Sequence, residues 1–533
     1  MIILRVAVLA LALLGTVAGG RVERQVQAEI SEFEADAIAN ALCTDKEAGE
    51  WFRLDTKDCR NVIQCTEAGL QALRCPHGLS FDLELQTCDW KTNVGNCVKK
   101  TKTKKVKPLL NTQEPLCQEN LLACGDSTCL DRNLFCDGNL DCSDGSDENA
   151  CDVDSDPNSA PKCNQDECRL PDCFCYHSGN EIPHNMDPQD IPQMITITFD
   201  DAVNNNNMDL YDRIFRDRLN RNGCNIKATF FVSHKYTNYS AVQELHRLGH
   251  EIAVHSISHN DSESFWTNAS EDEWAQEMAG ARVIAETFAN ITDNSVIGVR
   301  APYLRVGGNN QFKMMEKNAF LYDSTITAPL QNPPLWPYTL YYRMPHTCHG
   351  NLQHCPTRSF AVWEMVMNEL DRRENPNIDS ELPGCAMVDS CFSTKPNYGR
   401  FYEFLNNNFN RHYESNRAPL GLFFHSAFLK NDEEILDAFL VWLDEMLVRD
   451  DVYFVTMTQV IQWMQDPRPI NQIKNYEAWQ EKCLVNGPPF CYGGTNCELN
   501  TQELPGETIR LNTCIRCPTN YPWLKNPLGK GFF

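Results

Sequence analysis

The alternation of apolar and polar residues predicts an α/β domain from about residue 160 onward. Short apolar runs alternate there with amphipathic stretches, and each run has the length of a strand that is buried on both faces. Strands that alternate with helices indicate a parallel sheet or barrel. The predicted strands are Met194–Phe199, Lys227–Val232, Glu251–His255, Val296–Val299, Leu420–Phe424 and Val452–Val455.

The clearest predicted helix spans Glu433–Val448. Its large apolar residues recur at helical spacing and form one stripe, which we interpret as a core-facing surface. The stripe consists of Leu436, Phe439, Leu440, Leu443 and Leu447.

Cysteines, not apolar periodicity, organise the N-terminal part. Residues 43–97 and 117–151 each contain six cysteines, and both segments are too short to build a core without disulfides. The six lysines of residues 98–116 predict an extended, solvated linker. We expect a catalytic domain over 160–465 and a Cys-rich extension over 466–533 that packs on it.

Composition indicates a secreted protein. Residues 1–20 combine Arg5, an apolar run and small residues, as in a signal peptide, and the run is too short to span a membrane. The 26 cysteines are typical of an oxidising compartment, and the net charge of −25 argues against a nucleic-acid partner. Four sequons predict glycosylation sites at Asn238, Asn260, Asn268 and Asn290.

Candidate metal ligands follow two of the predicted strands. Asp200 and Asp201 end the first strand, and His255 and His259 follow the third. Adjacent carboxylates repel, so they require either a solvated turn or a cation. One aspartate and two histidines make the three protein ligands of a catalytic Zn²⁺ site. The other aspartate could then accept a proton from water as general base.

Two further strand ends carry titratable groups. Arg300 could hold a nearby carboxylate ionised. Taken in isolation, however, the Arg300–Tyr303 motif is typical of a surface arginine before a proline turn. His425 could protonate the leaving nitrogen of an amide, although such a histidine is more often a hydrogen-bonded core residue.

An acidic cluster within residues 137–148 predicts a second cation. Five carboxylates at short spacing are unfavourable without one, and hard oxygen ligands favour Ca²⁺. The carboxylates belong to Asp137, Asp141, Asp144, Asp147 and Glu148.

Three stretches resemble known families. Cys-Pro-x-Gly-Leu-x-Phe at 75–81 and Cys-Asp-Trp at 88–90 resemble the peritrophin-A type chitin-binding domain, whose aromatic rings suit sugar faces. Residues 136–148 resemble the LDL-receptor class A module. The resemblances imply the disulfides Cys43–Cys65, Cys59–Cys97, Cys75–Cys88, Cys117–Cys129, Cys124–Cys142 and Cys136–Cys151, and the calcium ligands Leu134, Asp137, Asn139, Asp141, Asp147 and Glu148.

The third resemblance covers residues 190–465. Thr-Phe-Asp-Asp at 198–201, Ala-Thr-Phe-Phe-Val at 228–232, His-Ser-x-x-His at 255–259, Arg-x-Pro-Tyr at 300–303 and His425 resemble the polysaccharide deacetylases of carbohydrate esterase family four. With both upstream modules, the chain resembles the arthropod chitin deacetylases. The resemblance implies a multidomain protein whose catalytic domain is a distorted (β/α) barrel. It also implies metal-dependent hydrolysis of chitin N-acetyl groups in the extracellular matrix.

The family assigns a role to each motif residue. It implies Asp200 as base, His425 as acid, Arg300 as the partner of Asp200, and the Tyr303 amide as an oxyanion donor. It implies Asp201, His255 and His259 as Zn²⁺ ligands.

Two positions depart from the family pattern, and one alternative function stays open. Asp323 fits the start of the fourth motif, but the tryptophan of that motif is displaced to Trp336, which we predict as a wall of the substrate groove beside Tyr303. The alternative to catalysis is a chitin-binding protein that organises the matrix, with an extracellular partner bound through the LDL-receptor type module.

Overall fold

The structure is a computed structural model, and it forms two compact units, Met1–Leu109 and Leu110–Phe533. No helix among the described residues has the length and apolar character needed to cross a bilayer. The structure describes residues 51–53, 61–66, 69–75, 79–90, 94, 117–118, 120–136, 141–149, 153–154, 156–179, 181–347, 354–373, 384–485, 487–491, 493–499, 504 and 509–531.

The first unit consists of two small antiparallel sheets. Phe81 is buried, and its ring centroid lies 6.1 Å from that of Trp51. The predicted disulfide Cys75–Cys88 is formed. Cys43, Cys59 and Cys97, and the side chain of Trp90, lie outside the described residues. The strands are β1 (Trp51–Arg53), β2 (Asn61–Thr66), β3 (Gly69–Arg74), β4 (Leu79–Asp82) and β5 (Thr87–Trp90).

The second unit begins with the LDL-receptor type module. Strands β6 (Leu121–Ala123) and β7 (Cys129–Asp131) form a hairpin, and Phe135 lies in a small core with two cysteines. The predicted disulfides Cys117–Cys129 and Cys124–Cys142 are formed. Among the predicted calcium ligands, Asp147 is buried, and its Oδ2 accepts a hydrogen bond from the N–H of Asp141 at 2.7 Å. Asp137, Asn139 and Cys151 lie outside the described residues.

This module is hydrogen-bonded to the domain that follows it. Arg358 Nη2 donates to the carbonyl oxygens of Phe135 and Cys136, each at 2.9 Å. Asn158 Nδ2 donates to the carbonyl oxygens of Arg132 at 2.7 Å and of Phe135 at 3.1 Å. The 132–136 turn is therefore fixed to the catalytic domain by its backbone.

A curled nine-stranded sheet forms the frame of that domain. All its pairings are parallel except that of β14 with β15, and all six predicted strands belong to it. The order is β14-β15-β12-β11-β10-β9-β8-β17, and β18 also pairs with β8. The strands are β8 (Gln193–Asp200), β9 (Thr229–Val232), β10 (Glu251–Val254), β11 (Gly298–Val299), β12 (Tyr322–Asp323), β13 (Thr327–Ala328), β14 (Tyr338–Thr339), β15 (Trp363–Glu364), β16 (Met367–Asn368), β17 (Leu420–His425) and β18 (Val452–Phe454), with β13 and β16 forming a separate pair.

Helices connect and cover the strands, as the sequence pattern predicts for this fold. They are α1 (Met208–Phe215), α2 (Tyr239–Arg247), α3 (Glu263–Asn268), α4 (Glu271–Trp274), α5 (Gly280–Phe288), α6 (Gly308–Lys317), α7 (Tyr398–Tyr413), α8 (Ser426–Lys430), α9 (Glu433–Val448), α10 (Met457–Gln465), α11 (Ile470–Ile473) and α12 (Glu477–Gln480). A π-helical segment, Ala275–Ala279, precedes α5.

Helix α9 shows how the core is built. Phe439 is buried against Phe424 of β17 and Trp442 of its own helix, at ring distances of 5.4 and 6.3 Å. Asp432 caps the helix by accepting the N–H groups of Glu434 and Ile435. Of the predicted core stripe, Leu436, Phe439 and Leu443 are buried, whereas Leu440 and Leu447 are only half-buried. The rest of the buried face consists of Ile435, Ala438, Trp442 and Met446.

The Cys-rich C-terminal extension packs on the catalytic domain. Strands β19 (Thr495–Leu499) and β20 (Ile509–Thr513) form a hairpin, and Cys514 N–H donates to the carbonyl of Phe288. Sequence spacing could not predict most of the pairings found. Those formed among the described residues are Cys163–Cys175, Cys168–Cys173, Cys224–Cys483, Cys491–Cys514 and Cys497–Cys517, together with the local bridge Cys385–Cys391.

Truncation of the buried ring of α9 should weaken the catalytic domain. Phe439→Ala removes a side chain with no exposed surface and leaves a cavity, which typically costs about 3–5 kcal/mol of folding free energy. Val448→Ala on the same helix is the control, because Val448 is 71% exposed and its loss should change stability by no more than about 0.5 kcal/mol. Urea unfolding midpoints of both variants would test this, and equal shifts would contradict the packing described.

Candidate active site

Three potential metal ligands meet where parallel strands end. Asp201 follows β8, while His255 and His259 follow β10, and one donor atom from each lies within 4.8 Å of the others. Asp201 Oδ1 is 3.6 Å from His259 Nε2 and 4.0 Å from His255 Nε2. These separations exceed hydrogen-bond length. They suit three donors that each lie about 2.1 Å from one shared cation.

The orientation of His255 fits a metal ligand. Its Nδ1 lies 2.9 Å from the carbonyl oxygen of Arg300, so Nδ1–H donates there and the lone pair of Nε2 points toward Asp201. Burial lowers the pKa of His255, which favours the neutral imidazole that binds metal. The donor set of two imidazoles and one carboxylate is one that Zn²⁺ uses in catalytic sites.

The turn between the two histidines is held from outside the cluster. Glu277, in the π-helical segment, accepts hydrogen bonds from the N–H groups of Ile257 at 3.0 Å and Ser258 at 2.9 Å, and from the Ser258 hydroxyl. Ser256 Oγ accepts the N–H of His259 at 3.1 Å. Because the turn is fixed at both ends, the histidines are positioned before any ion binds.

Some residues of the site have a left-handed backbone conformation. Four of its non-glycine residues have a positive φ, which is uncommon outside glycine. They are Asp201 (78°), Ser256 (76°), His259 (47°) and Tyr303 (56°).

Asp200 lies beside the cluster and is paired with Arg300. Arg300 Nη1 donates to Asp200 Oδ1 at 2.6 Å, and the two side chains are 0% and 3% exposed. The guanidinium also donates to Thr198 Oγ1 and to the Ser324 hydroxyl and carbonyl oxygens. It lies over the ring of Phe231, 3.9 Å from the centroid. Arg300 is therefore fixed, and it holds the Asp200 carboxylate in one orientation.

His425 lies on the other side of Asp201. Its Nε2 is 4.0 Å from Asp201 Oδ2, and its Nδ1 is 2.5 Å from Asp389 Oδ2. Asp389 Oδ2 also accepts the backbone N–H of His425. The hydrogen bond to Asp389 raises the pKa of His425 to about 9, so the imidazole is protonated at neutral pH. With Nδ1–H committed to Asp389, Nε2–H is the proton that His425 can give up.

The structure thus brings the predicted catalytic residues together. Tyr303 completes the group, because its ring lies 5.1 Å from that of His259 and is 42% exposed at the open side of the cluster. The residues that meet here are Asp200, Asp201, His255, His259, Arg300, Tyr303 and His425.

Trp336 does not belong to this group, and its prediction as a groove wall is wrong. Its side chain is 0% exposed and stacks on Trp463 at 5.6 Å, with Nε1 donating to the carbonyl oxygen of Asn416. The ring of Trp336 belongs to the core, because burial of a large aromatic side chain is more favourable than its exposure to solvent.

Asp323, which fits the start of the fourth motif, lies in the core. It is buried and accepts hydrogen bonds from Gln311 Nε2 and from the N–H and hydroxyl of Thr325. Burial raises the pKa of Asp323 to about 6. Asp323 is therefore a core residue, and Asp389 is the carboxylate that is hydrogen-bonded to His425.

Sequence reasoning missed two residues that position the site. Asp389 lies between Cys385 and Cys391, which form a disulfide, so the close spacing of these two cysteines was the available signal for an ordered loop there. Nothing in the local sequence distinguishes Glu277 from the other acidic residues of its helical stretch, because its role depends on a turn twenty residues away.

Comparison with known families finds three matching family models. The models that match are the chitin binding Peritrophin-A domain over 43–97, the low-density lipoprotein receptor domain class A over 115–151, and polysaccharide deacetylase over 188–318. Among solved structures, the chitin deacetylase from the fungal pathogen Colletotrichum lindemuthianum is 13% identical, with a TM-score of 0.28. That match covers 51% of this chain and 88% of the fungal one.

Two silkworm proteins are similar over much longer stretches. Chitin deacetylase 8 of Bombyx mori is 37% identical over 377 residues, which is 70% of this chain and 94% of that protein. Chitin deacetylase 1 of Bombyx mori is 64% identical over an alignment of 537 positions, which covers 99% of each chain. The chain therefore belongs to the chitin deacetylase family of polysaccharide deacetylases.

Proposed function

We propose that this protein is a secreted, Zn²⁺-dependent enzyme that hydrolyses N-acetyl groups of β-1,4-linked N-acetylglucosamine in chitin, leaving acetate and a chitosan-like polymer. The observation that carries the proposal is the grouping of three potential metal ligands beside an arginine-paired carboxylate and an aspartate-paired histidine. The peritrophin-A match and the silkworm relatives support chitin as the substrate.

Asp201, His255 and His259 would hold the metal ion. When bound there, Zn²⁺ would polarise the acetyl carbonyl and lower the pKa of a water molecule. The fixed turn around His259 and the Nδ1–H bond of His255 support this assignment, because they orient the donors without the ion.

Asp200 is the proposed general base. The hydrogen bond from Arg300 orients the carboxylate, which can then take a proton from the attacking water. The backbone N–H of Tyr303 is the proposed donor to the oxyanion that forms on the acetyl group.

His425 is the proposed general acid. Hydrolysis of the amide needs a proton on the leaving nitrogen, and the protonated imidazole can supply it from Nε2. Asp389 stabilises the imidazolium and directs Nε2 toward the cluster, where Asp201 is 4.0 Å away.

The remaining segments have proposed supporting roles. Residues 1–20 would direct secretion, residues 43–97 would bind the polymer, and the module at 117–151 would bind Ca²⁺ and an extracellular matrix protein. The proposed catalytic domain spans 160–465, and residues 466–533 form its extension.

Acetate release from chitin oligomers tests the activity. The full-length protein should release acetate, lose this ability in chelator, and regain it with Zn²⁺ alone. Ca²⁺ added alone is the control for the LDL-receptor type module and should not restore release. A folded, zinc-loaded protein that releases no acetate would contradict the proposal and favour a matrix-organising protein without catalysis.

The two adjacent aspartates should fail in different ways. Asp201→Ala should lose both metal and activity, because one of three ligands is gone. Asp200→Asn should keep the metal and lose about 10²–10⁴-fold in kcat, the usual contribution of a general base. Metal content and kcat measured on the same preparations would separate the roles, which equal metal loss in both variants would contradict.

Asp389→Asn should move the alkaline limb of the pH–rate profile to lower pH. His425 acts as an acid only while protonated, so activity falls as the pH rises through its pKa, which Asp389 raises to about 9. Without the carboxylate charge, that pKa should fall toward the ordinary value of about 6.5. Acetate release across pH measures the limb, and unchanged metal content is the control. A limb that stays in place would disprove this role for Asp389.

A further inference from the structure

The loop that carries Tyr303, whose N–H is the proposed oxyanion donor, is held at both ends by buried side chains. It lies between β11 and α6. At its start, the N–H of Ala301 donates to Thr325 Oγ1 at 2.9 Å. At its end, the N–H of Gly307 donates to Gln311 Oε1 at 2.8 Å. Among the described residues, no group accepts the N–H of Tyr303 itself, so this donor can bind a ligand.

Both of these contacts lead to one carboxylate oxygen of Asp323. Gln311 Nε2 donates to Asp323 Oδ1 at 2.8 Å, and the hydroxyl of Thr325 donates to the same oxygen at 2.8 Å. The N–H of Thr325 donates to Oδ2 at 2.7 Å. Asp323 therefore fixes two relays, and each relay accepts a backbone N–H at one end of the Tyr303 loop.

The charge of Asp323 gives each relay its direction. A carboxylate can only accept hydrogen bonds, so the Thr325 hydroxyl donates to it and is left to accept from the backbone. For the same reason the amide nitrogen of Gln311 faces Asp323, and the amide oxygen faces Gly307. Burial raises the pKa of Asp323 to about 6, so the group is still ionised at neutral pH.

A second buried carboxyl group supports this state. Glu364 is the register partner of Asp323 on the neighbouring strand β15, and both residues are 0% exposed. Two adjacent buried carboxyl groups do not both ionise, so one of them keeps a proton. Burial and the charge of Asp323 raise the pKa of Glu364 well above its ordinary value, which assigns the proton to Glu364. Asp323 therefore stays the acceptor at the centre of the two relays.

These side chains have no surface with which to touch a substrate. The residues that are 0% exposed are Thr325, Gln311, Asp323 and Glu364. Ser324 lies between two of them, and its hydroxyl and carbonyl oxygens accept hydrogen bonds from the Arg300 guanidinium. The network can therefore affect catalysis only through the positions of the groups that it holds, which are the Arg300 side chain and the backbone that follows it.

We propose that Asp323 is the positioning residue of the oxyanion loop: through Thr325 and Gln311, its carboxylate holds the Tyr303 N–H where the acetyl oxyanion forms. This inference deepens the proposed function and rests on its assignment of the Tyr303 N–H. It accounts for a buried carboxylate at a position where an apolar side chain would avoid the cost of desolvation. Donors to an oxyanion are effective when they are preorganised, and a loop that is held at both ends meets this requirement.

Kinetics of relay variants test the proposal. Asp323→Ala would leave three buried donors without an acceptor and destabilise the domain, so the relays are changed instead. Thr325→Val removes the hydroxyl that joins Ala301 to Asp323, and kcat for chitin pentamer should fall about ten- to hundredfold while KM changes less than about twofold. Gln311→Met breaks the relay to Gly307 and should lower kcat in the same way. Thr325→Ser keeps the hydroxyl and should restore most of the kcat.

Thr339→Val is the matched control. Thr339 is also buried, and its hydroxyl donates to the carbonyl oxygen of Phe174, but it lies on β14, three strands away from β11 in the sheet. A loss of kcat that comes from lower stability alone should appear in this variant as well, and metal content should stay unchanged in all of them. Unchanged kcat in Thr325→Val and Gln311→Met, an equal loss in Thr339→Val, or a loss that Thr325→Ser does not restore would overturn the proposal.

Amide hydrogen exchange separates this inference from the proposed function. Thr325→Val should speed exchange in peptides that cover residues 300–307, relative to wild type and to Thr339→Val, because one end of the loop is released. If the wild-type protein releases no acetate, the proposed function fails, and faster exchange would still support the bracing while equal exchange would refute it. If the wild type is active and both relay variants keep its kcat, only this inference fails.

Discussion

The buried ion pair of Arg300 and Asp200 is the constraint on which the site depends. Two charges without solvent exposure are stable only when each is hydrogen-bonded, and removal of one partner from such a pair typically costs about 3–5 kcal/mol. Arg300 meets this condition by binding Asp200 and Thr198 of β8 and Ser324 after β12. The pair therefore joins separate strand ends and fixes the direction in which β8 delivers Asp200 and Asp201.

This constraint also explains how a base and an acid coexist at one strand edge. Asp200 and His425 occupy paired positions on β8 and β17, where opposite charges could neutralise each other. Each instead has its own counter-ion, Arg300 for the carboxylate and Asp389 for the imidazole. Separate counter-ions orient the carboxylate and the imidazole independently, as the proposed acid–base hydrolysis of an amide requires.

Sequence predicted those parts of the site whose geometry is local. Asp200, Asp201, His255 and His425 directly end or follow apolar runs, and parallel strands bring such ends together whatever the connections are. The family resemblance added their roles. The same reasoning predicted that one face of α9 is buried, because the apolar face of a helix is set by residues within a few turns of each other.

Features that depend on distant segments could not be predicted. Asp389 reaches His425 from a separate loop, and Trp336 fills the core against Trp463, more than a hundred residues away along the chain. Cys224 pairs with Cys483 across a separation of 259 residues. In each case the deciding contact is made by the fold, while the local sequence is compatible with several outcomes.

The C-terminal extension shows that non-local contacts also bear on function. Its Tyr521 and Pro522 hold His234, and His234 N–H holds the turn that begins at His255. Burial lowers the pKa of His234 to about 4, so this imidazole stays neutral and its ring bonds persist at the pH where the site would operate. The extension therefore supports the loop of His234 beside the candidate active site, although it lies outside the segment that matches the deacetylase model. The position of the turn that carries the two candidate histidine ligands therefore depends, through His234, on a segment that contributes no ligand.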